Sequence, residues 1–126
     1  MLRRSEVATA FRVAGFVSIS ALVVLSLVPG TMRPHVLGSG NAEHFLAYAG
    51  TTFLLGLGCV PRTTAVFVSM LSAAAAFVEL LQNWIPGRSP GFDNFVSSSM
   101  GALVGAAVAI SLATLVRKVA MPPIER

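Results

Sequence analysis

Four long runs of apolar residues, separated by short segments that contain proline, glycine or charge, make up most of the chain. The hydrocarbon core of a bilayer is about 30 Å thick and is crossed by roughly 20 helical residues, with about 17 to 25 tolerated. The four runs match this length, although the first two lie near its lower limit. The pattern therefore predicts four transmembrane helices, over about residues 13–28, 44–60, 64–85 and 95–116.

The first run follows Arg3 and Arg4, an order that is also found in signal peptides. A signal peptide would end in a small-x-small cleavage pattern, whereas this run ends in Leu27-Val28-Pro29-Gly30. We therefore expect a retained helix at this position.

Composition supports a membrane protein. Of the 126 residues, 55% are hydrophobic and 11% are charged, whereas an ordinary soluble domain has roughly 25% charged residues. A soluble globular enzyme and a disordered tail are therefore not expected. The chain has one cysteine, Cys59, which cannot close an intrachain disulfide. We predict an all-α membrane protein, a bundle of four transmembrane helices in which residues 1–126 form a single domain.

The charge distribution predicts the orientation of the bundle. A formal net charge of +4 would also suit a nucleic-acid-binding protein, but the nine basic residues are scattered between the apolar runs. Cytoplasmic loops of membrane proteins are enriched in Lys and Arg. Both termini are therefore predicted to be cytoplasmic, with no nucleic-acid partner, while Trp84 lies at the outer interface. The cytoplasmic side would carry Arg3, Arg4, Arg12, Arg62, Arg117, Lys118 and Arg126, and the outer side Arg33 and Arg88.

This topology places most other polar side chains at the outer ends of helices two, three and four. Glu79 is the most informative, because it lies about 9 Å along the axis from the predicted helix end. A charge there is costly, up to about 2.5 to 3.5 kcal/mol at the bilayer centre, so we expect a partner among Arg88, His44 and Gln82. The predicted ligand-binding site consists of His44, Tyr48, Glu79, Gln82, Arg88, Asp93 and Asn94.

Each of these residues also has a structural explanation. Glu79 can form a static ion pair, and His44 can be an ordinary interfacial polar group. His44 and Tyr48 are four residues apart, so both point into the bundle from one helix face. Asp93 is well placed to cap helix four. Arg88 is either a solvated loop charge or a bidentate ligand for phosphate or carboxylate.

Two other motifs are discounted. Residues 87–91 match G-x-S-x-G, but the nucleophile elbow lies between a strand and a helix, and here the string joins two predicted membrane helices. A serine nucleophile is therefore not expected. The sequence has no H-E-x-x-H motif and no Cys/His pair, so neither a metal site nor a cofactor is predicted.

Helix four carries a small residue at every fourth position, a spacing that lets membrane helices approach closely. Packing inside the bundle is the first expected use, and close packing against helix three would hold Glu79 near Asp93. The second expected use of these small residues is a homodimer through Gly101 and Gly105. The stripe consists of Ser97, Gly101, Gly105, Ala109 and Ala113.

The polar site residues described above and the Gly101-Gly105 spacing, taken in their order along the chain, resemble the VanZ-like family of bacterial integral membrane proteins. The resemblance covers about residues 25–110, and its most specific part runs from Glu79 to Asp93. Many members have Asp-Lys shortly before the histidine, where this chain has Gly40-Asn41-Ala42-Glu43. The matching motifs are His44-Phe45-x-x-Tyr48, Glu79-x-x-Gln82, Pro86-Gly87-Arg88, Asp93-Asn94 and Gly101-x-x-x-Gly105.

The resemblance implies a multi-pass protein of the bacterial inner (cytoplasmic) membrane. The founding member of the family lowers susceptibility to teicoplanin, a lipid-tailed glycopeptide that acts outside the membrane. The family therefore links the chain to the cell envelope and to the antibiotic response as a context, without implying a particular reaction.

The leading hypothesis is a non-enzymatic envelope protein that binds an amphiphile at the outer leaflet, either a membrane lipid, a lipid-linked envelope precursor or a lipoglycopeptide. Arg88 would meet an anionic head group, and Glu79 and His44 would orient it. The first alternative is an enzyme that acts on a lipid head group, with Glu79 or His44 as general base. The second alternative is a proton-coupled carrier that uses Glu79. The third is an assembly factor that binds no ligand.

Overall fold

The computed structural model describes residues 3–32 and 37–120, and in these ranges the chain forms helices joined by short turns. The predicted all-α class is confirmed. Of the four long helices described, the first, third and fourth are long and apolar enough to cross a membrane. The elements are α1 (Arg4–Leu27), a short 3-10 helix (Gly30–Met32), α2 (Gly40–Gly58), α3 (Pro61–Gln82) and α4 (Phe92–Ala120).

The helix ends differ from the hydropathy-based prediction. α1 begins at Arg4 instead of residue 13, and Glu6 in its first turn accepts a hydrogen bond from the Arg3 N–H at 2.8 Å. α2 and α4 also begin earlier, at residues 40 and 92, and α4 continues to residue 120. α3 ends at Gln82, so Trp84 lies in the following turn and is 77% exposed. Hydropathy marks the part of a helix that suits hydrocarbon, whereas the helix itself continues until capping groups end it.

The helices alternate in direction, which gives the bundle two distinct ends. The end that we call the site end carries the last residues of α1 and α3 and the first residues of α2 and α4. The opposite end, the terminal end, carries the start of α1, the junction of α2 with α3, and the end of α4.

α2 lies at the centre of the bundle and contacts the other three helices. It falls outside the group of membrane-length apolar helices because polar residues, among them Glu43 and His44, occupy its first turns. Its buried hydroxyl groups are satisfied inside the protein. The Thr51 and Ser18 hydroxyl oxygens, for example, are 2.6 Å apart and join α2 to α1.

α4 packs most extensively against α2, and it also packs against α3, as the sequence predicted. Gly101 and Gly105 are buried so closely against α2 that an added Cβ would overlap the backbone carbonyl oxygens of Phe45 and Ala49. The two glycines of the stripe therefore pack α4 against α2 within one chain. A homodimer through these glycines would require the contact between α2 and α4 to open.

Large apolar side chains cover much of the outer surface of the bundle. Phe16, Val17, Met70, Phe77 and Leu103 are each more than half exposed. Soluble monomers rarely expose contiguous apolar surface on this scale. The exterior, like the three apolar helices, is therefore compatible with a protein embedded in a membrane.

Candidate functional site

A polar cavity of about 250 Å³ lies at the site end of the bundle. It draws residues from the connection after α1, from α2, from α3 and from α4, so it exists only in the folded chain. Four of the seven predicted site residues line it. The lining side chains are His44, Gln82, Arg88, Ser89 and Asn94, together with the backbone of Gly30, Gly40 and Gly87.

Arg88 and Gln82 bind the C-terminal end of α1. The last carbonyl groups of a helix have no partner within the helix, and in a membrane such groups are costly when left unpaired. Arg88 Nε donates to the carbonyl oxygen of Val28 at 2.9 Å, and Arg88 Nη2 donates to that of Leu25. Gln82 Nε2 donates to the carbonyl oxygen of Ser26 at 3.0 Å. The two side chains thus cap α1 from a distance of more than 50 residues along the chain.

Two Pro-Gly pairs meet beside this cap. The Gly30 N–H donates to the carbonyl oxygen of Pro86 at 3.1 Å. Gly87 has a φ of 72°, a left-handed conformation that favours glycine. A Cβ on Gly30 would overlap the Gly87 carbonyl oxygen, so the approach also requires glycine there. The connections after α1 and α3 therefore form one compact wall of the cavity.

Glu79 lies on the last turn of α3 and faces the start of α4. Its Oε2 atom accepts a hydrogen bond from the Gly91 N–H at 2.8 Å and a longer one, of 3.5 Å, from Asn94 Nδ2. The expected pairing of Glu79 with Arg88, His44 or Gln82 is therefore replaced by pairing with α4. Backbone N–H groups at a helix start, together with the positive end of the helix dipole, favour a carboxylate. Because α3 ends at Gln82, Glu79 is also closer to the helix end than predicted.

His44 and Tyr48 are both buried and share one face of α2, as their spacing predicted. His44 Nδ1 lies 3.4 Å from the Ser98 hydroxyl oxygen of α4. Tyr48 lies one turn further along α2 and belongs to the buried core, together with Leu71 and Ala75 of α3. Ser98 was missing from the predicted site, although its spacing to Gly101 and Gly105 placed it on the same face of α4.

Asp93 and Asn94 have separate roles. Both lie inside the first turn of α4, where the sequence had placed them before the helix. The exposed Asp93 accepts a hydrogen bond from Asn41 Nδ2 of α2 at 2.9 Å and lies outside the cavity lining. Asn94 lines the cavity and donates to the Ser89 carbonyl oxygen at 3.3 Å as well as to Glu79. Asn41, the residue that the sequence marked only as a departure from the family pattern, therefore ties the start of α2 to α4.

The cavity is rich in hydrogen-bond donors and includes one guanidinium group. Arg88 and the side-chain amides of Gln82 and Asn94 all donate hydrogen bonds at its wall. Among residues 3–32 and 37–120, no group of three or more His, Cys, Asp and Glu side chains is arranged to hold a metal ion. These hydrogen bonds end on oxygen atoms of the protein itself, so what the cavity offers an occupant is mainly the positive charge of Arg88, which suits an anionic group.

No protein-family model, no curated protein and no solved structure matches the sequence. The class of the protein therefore follows from its own residues: a helical protein with three helices long and apolar enough to cross a membrane.

Proposed function

We propose that the chain is a multi-pass envelope protein of the VanZ-like kind, whose cavity at the site end binds the polar head of a lipid-linked or otherwise amphiphilic ligand. In this proposal α2 crosses the membrane together with α1, α3 and α4, which gives four transmembrane helices. Both termini are cytoplasmic, and the cavity opens towards the outer leaflet of a bacterial cytoplasmic membrane. The charge asymmetry of the loops and the family resemblance support the orientation.

The observation that carries the proposal is the position of a donor-lined cavity at the end of an apolar bundle. A head group would meet the polar side chains of the cavity, while its hydrocarbon tail would lie along the exposed apolar faces of the neighbouring helices. Ligand sites commonly combine an apolar surround with a few well-placed polar groups. Arg88 favours an anionic group, and His44 and Asn94 supply further polar contacts.

Glu79 acts in this proposal as a positioning residue. Its carboxylate accepts hydrogen bonds from the Gly91 N–H, immediately before α4, and from the Asn94 amide, so it shapes the cavity wall without lining it. This differs from the role of direct ligand contact expected from the sequence.

An enzyme that acts on a lipid head group is the second candidate, and the lining favours His44 over Glu79 as its general base. His44 lines the cavity, whereas Glu79 faces α4. A general base has to come within hydrogen-bond reach of the proton that it removes. Turnover that His44→Gln abolishes would favour this candidate over a binding protein.

The test is the lipid retained by the purified full-length chain. Lipids extracted from the wild type and from Ser89→Trp would be compared by mass spectrometry. The tryptophan should fill the cavity without breaking the hydrogen bonds from Arg88 and Gln82 to the end of α1, so the fold should be preserved. Ser69→Trp, on the exposed face of α3, is the control. We expect one polar-headed lipid class to be depleted in Ser89→Trp only, and equal lipid profiles in all three proteins would contradict the proposal.

A further inference from the structure

A second and larger concavity lies at the terminal end, opposite the cavity. It is a groove of about 520 Å³ between the start of α1 and the end of α4, with Leu57 of α2 at its floor. Two arginines, Arg4 and Arg117, lie among its otherwise apolar lining. The apolar walls are formed by Val7, Ala8 and Phe11 of α1 and by Leu112, Ala113 and Val116 of α4.

The groove follows from how the helices are arranged. Within the described residues, α1 and α4 both pack against α2, and no Cα atom of α1 lies within 8 Å of a Cα atom of α4. An alanine lies on each wall one turn from the arginine on the same helix face: Ala8 after Arg4, and Ala113 before Arg117. The small side chains keep the groove wide, and each arginine is one turn nearer the terminal end than the alanine of its helix.

The composition of the groove selects its occupant. Two guanidinium groups that line one apolar groove favour an anionic occupant over a neutral or cationic one. Arginine binds phosphate through paired hydrogen bonds, and the apolar walls suit a hydrocarbon chain. A second copy of this protein would be a poor complement, because the chain has only five acidic residues against nine basic ones.

We propose that this groove binds one anionic phospholipid, with an acyl chain along the apolar walls and the phosphate at Arg4 and Arg117. Basic pockets between membrane helices near the cytoplasmic surface are suited to anionic head groups. The site is separate from the cavity at the site end. It requires only that the helices lie in a membrane, so it does not depend on the proposed ligand of the cavity.

The experiment is native mass spectrometry of the full chain in detergent, titrated with phosphatidylglycerol or with phosphatidylcholine of the same acyl composition. We expect the wild type to prefer phosphatidylglycerol by about tenfold. Both lipids carry a phosphate, but the cationic choline of phosphatidylcholine is repelled by the two arginines. Arg4→Gln with Arg117→Gln should abolish the preference. Arg62→Gln with Lys118→Gln removes the same charge at the same end from exposed residues outside the groove and should preserve it.

The hydrocarbon part of the site is tested separately. Ala113→Trp fills the groove while both arginines remain, and it should lower retention of phosphatidylglycerol by about tenfold. Circular dichroism would confirm equal helix content in all variants. Equal loss in the control pair, or unchanged retention in Ala113→Trp, would overturn the proposal. A protein that is dimeric and retains no lipid would also overturn the proposal, because the groove would then be occupied by a second copy of the chain.

Discussion

The Glu79 carboxylate accepts a hydrogen bond from the backbone N–H of Gly91 at 2.8 Å, immediately before α4 begins. One acidic side chain from the end of α3 thereby satisfies a donor at the start of the next helix. The contact fixes the connection between the two helices, which also carries Arg88 and Ser89 to the cavity.

Glu79→Leu should therefore destabilise the protein. The substitution leaves the Gly91 N–H without its acceptor, at a cost of about 1–3 kcal/mol. Glu79→Gln retains a carbonyl oxygen that can accept the same bond and should cost less. Thermal unfolding in detergent would measure both, with Thr63→Leu on the exposed face of α3 as the control. A Glu79→Leu variant as stable as Glu79→Gln would contradict this role.

Leucine at Gly101 or Gly105 should disrupt the packing of α2 on α4. Even a Cβ at either position would overlap a carbonyl oxygen of α2, and overpacking a close contact costs about 1–3 kcal/mol or more. Gly50→Ala is the matched control, because a Cβ there has no neighbour within 4 Å. Alanine at this exposed helical position should be neutral or stabilising by up to about 1 kcal/mol. If both leucine variants unfold at the same temperature as the wild type and as Gly50→Ala, the close contact between α2 and α4 does not exist.

Double-mutant cycles should show stronger coupling between Arg88 and Gln82 than between Arg88 and Glu79. Arg88 and Gln82 bind neighbouring carbonyl groups at the end of α1, whereas Glu79 binds α4. Residues that share a network couple by about 0.5–3 kcal/mol. The cycles would use Arg88→Gln, Gln82→Met and Glu79→Gln, with the free energy of unfolding as the measured quantity. Stronger coupling of Arg88 with Glu79 would instead support the ion pair that the sequence suggested.

The sequence predicted the all-α class and the four long helices, because hydrophobic run length depends only on local composition, but it did not predict where each helix begins. It also placed His44 and Tyr48 correctly on one buried face, since the spacing of i and i+4 is a property of any α-helix. It failed where a side chain binds backbone. The partners of Arg88 and Glu79 are carbonyl and N–H groups, which every residue carries, so no sequence pattern identifies them.

The contacts between distant segments were missed for a related reason. Asn41 binds Asp93 across 52 positions, and each residue taken alone has an ordinary helix-end explanation. Each Pro-Gly pair, taken alone, has the ordinary explanation of a residue pair that ends a helix. Their contact depends on the direction and spacing of the helices that they end. A search for paired glycine-containing turns at one predicted end of the bundle would have suggested it.

The most direct test of the central claim, that the donor-lined cavity faces outside, is the labelling of single cysteines by a membrane-impermeant maleimide in intact cells. Ser89 lies at the cavity, and the native Cys59 lies at the opposite end, directly after α2. Ser89→Cys in a Cys59→Ser background should be labelled in intact cells. Cys59 in the wild type should be labelled only after the membrane is permeabilised. Labelling of Cys59 but not of Cys59→Ser/Ser89→Cys in intact cells would invert the topology and contradict an outward-facing site.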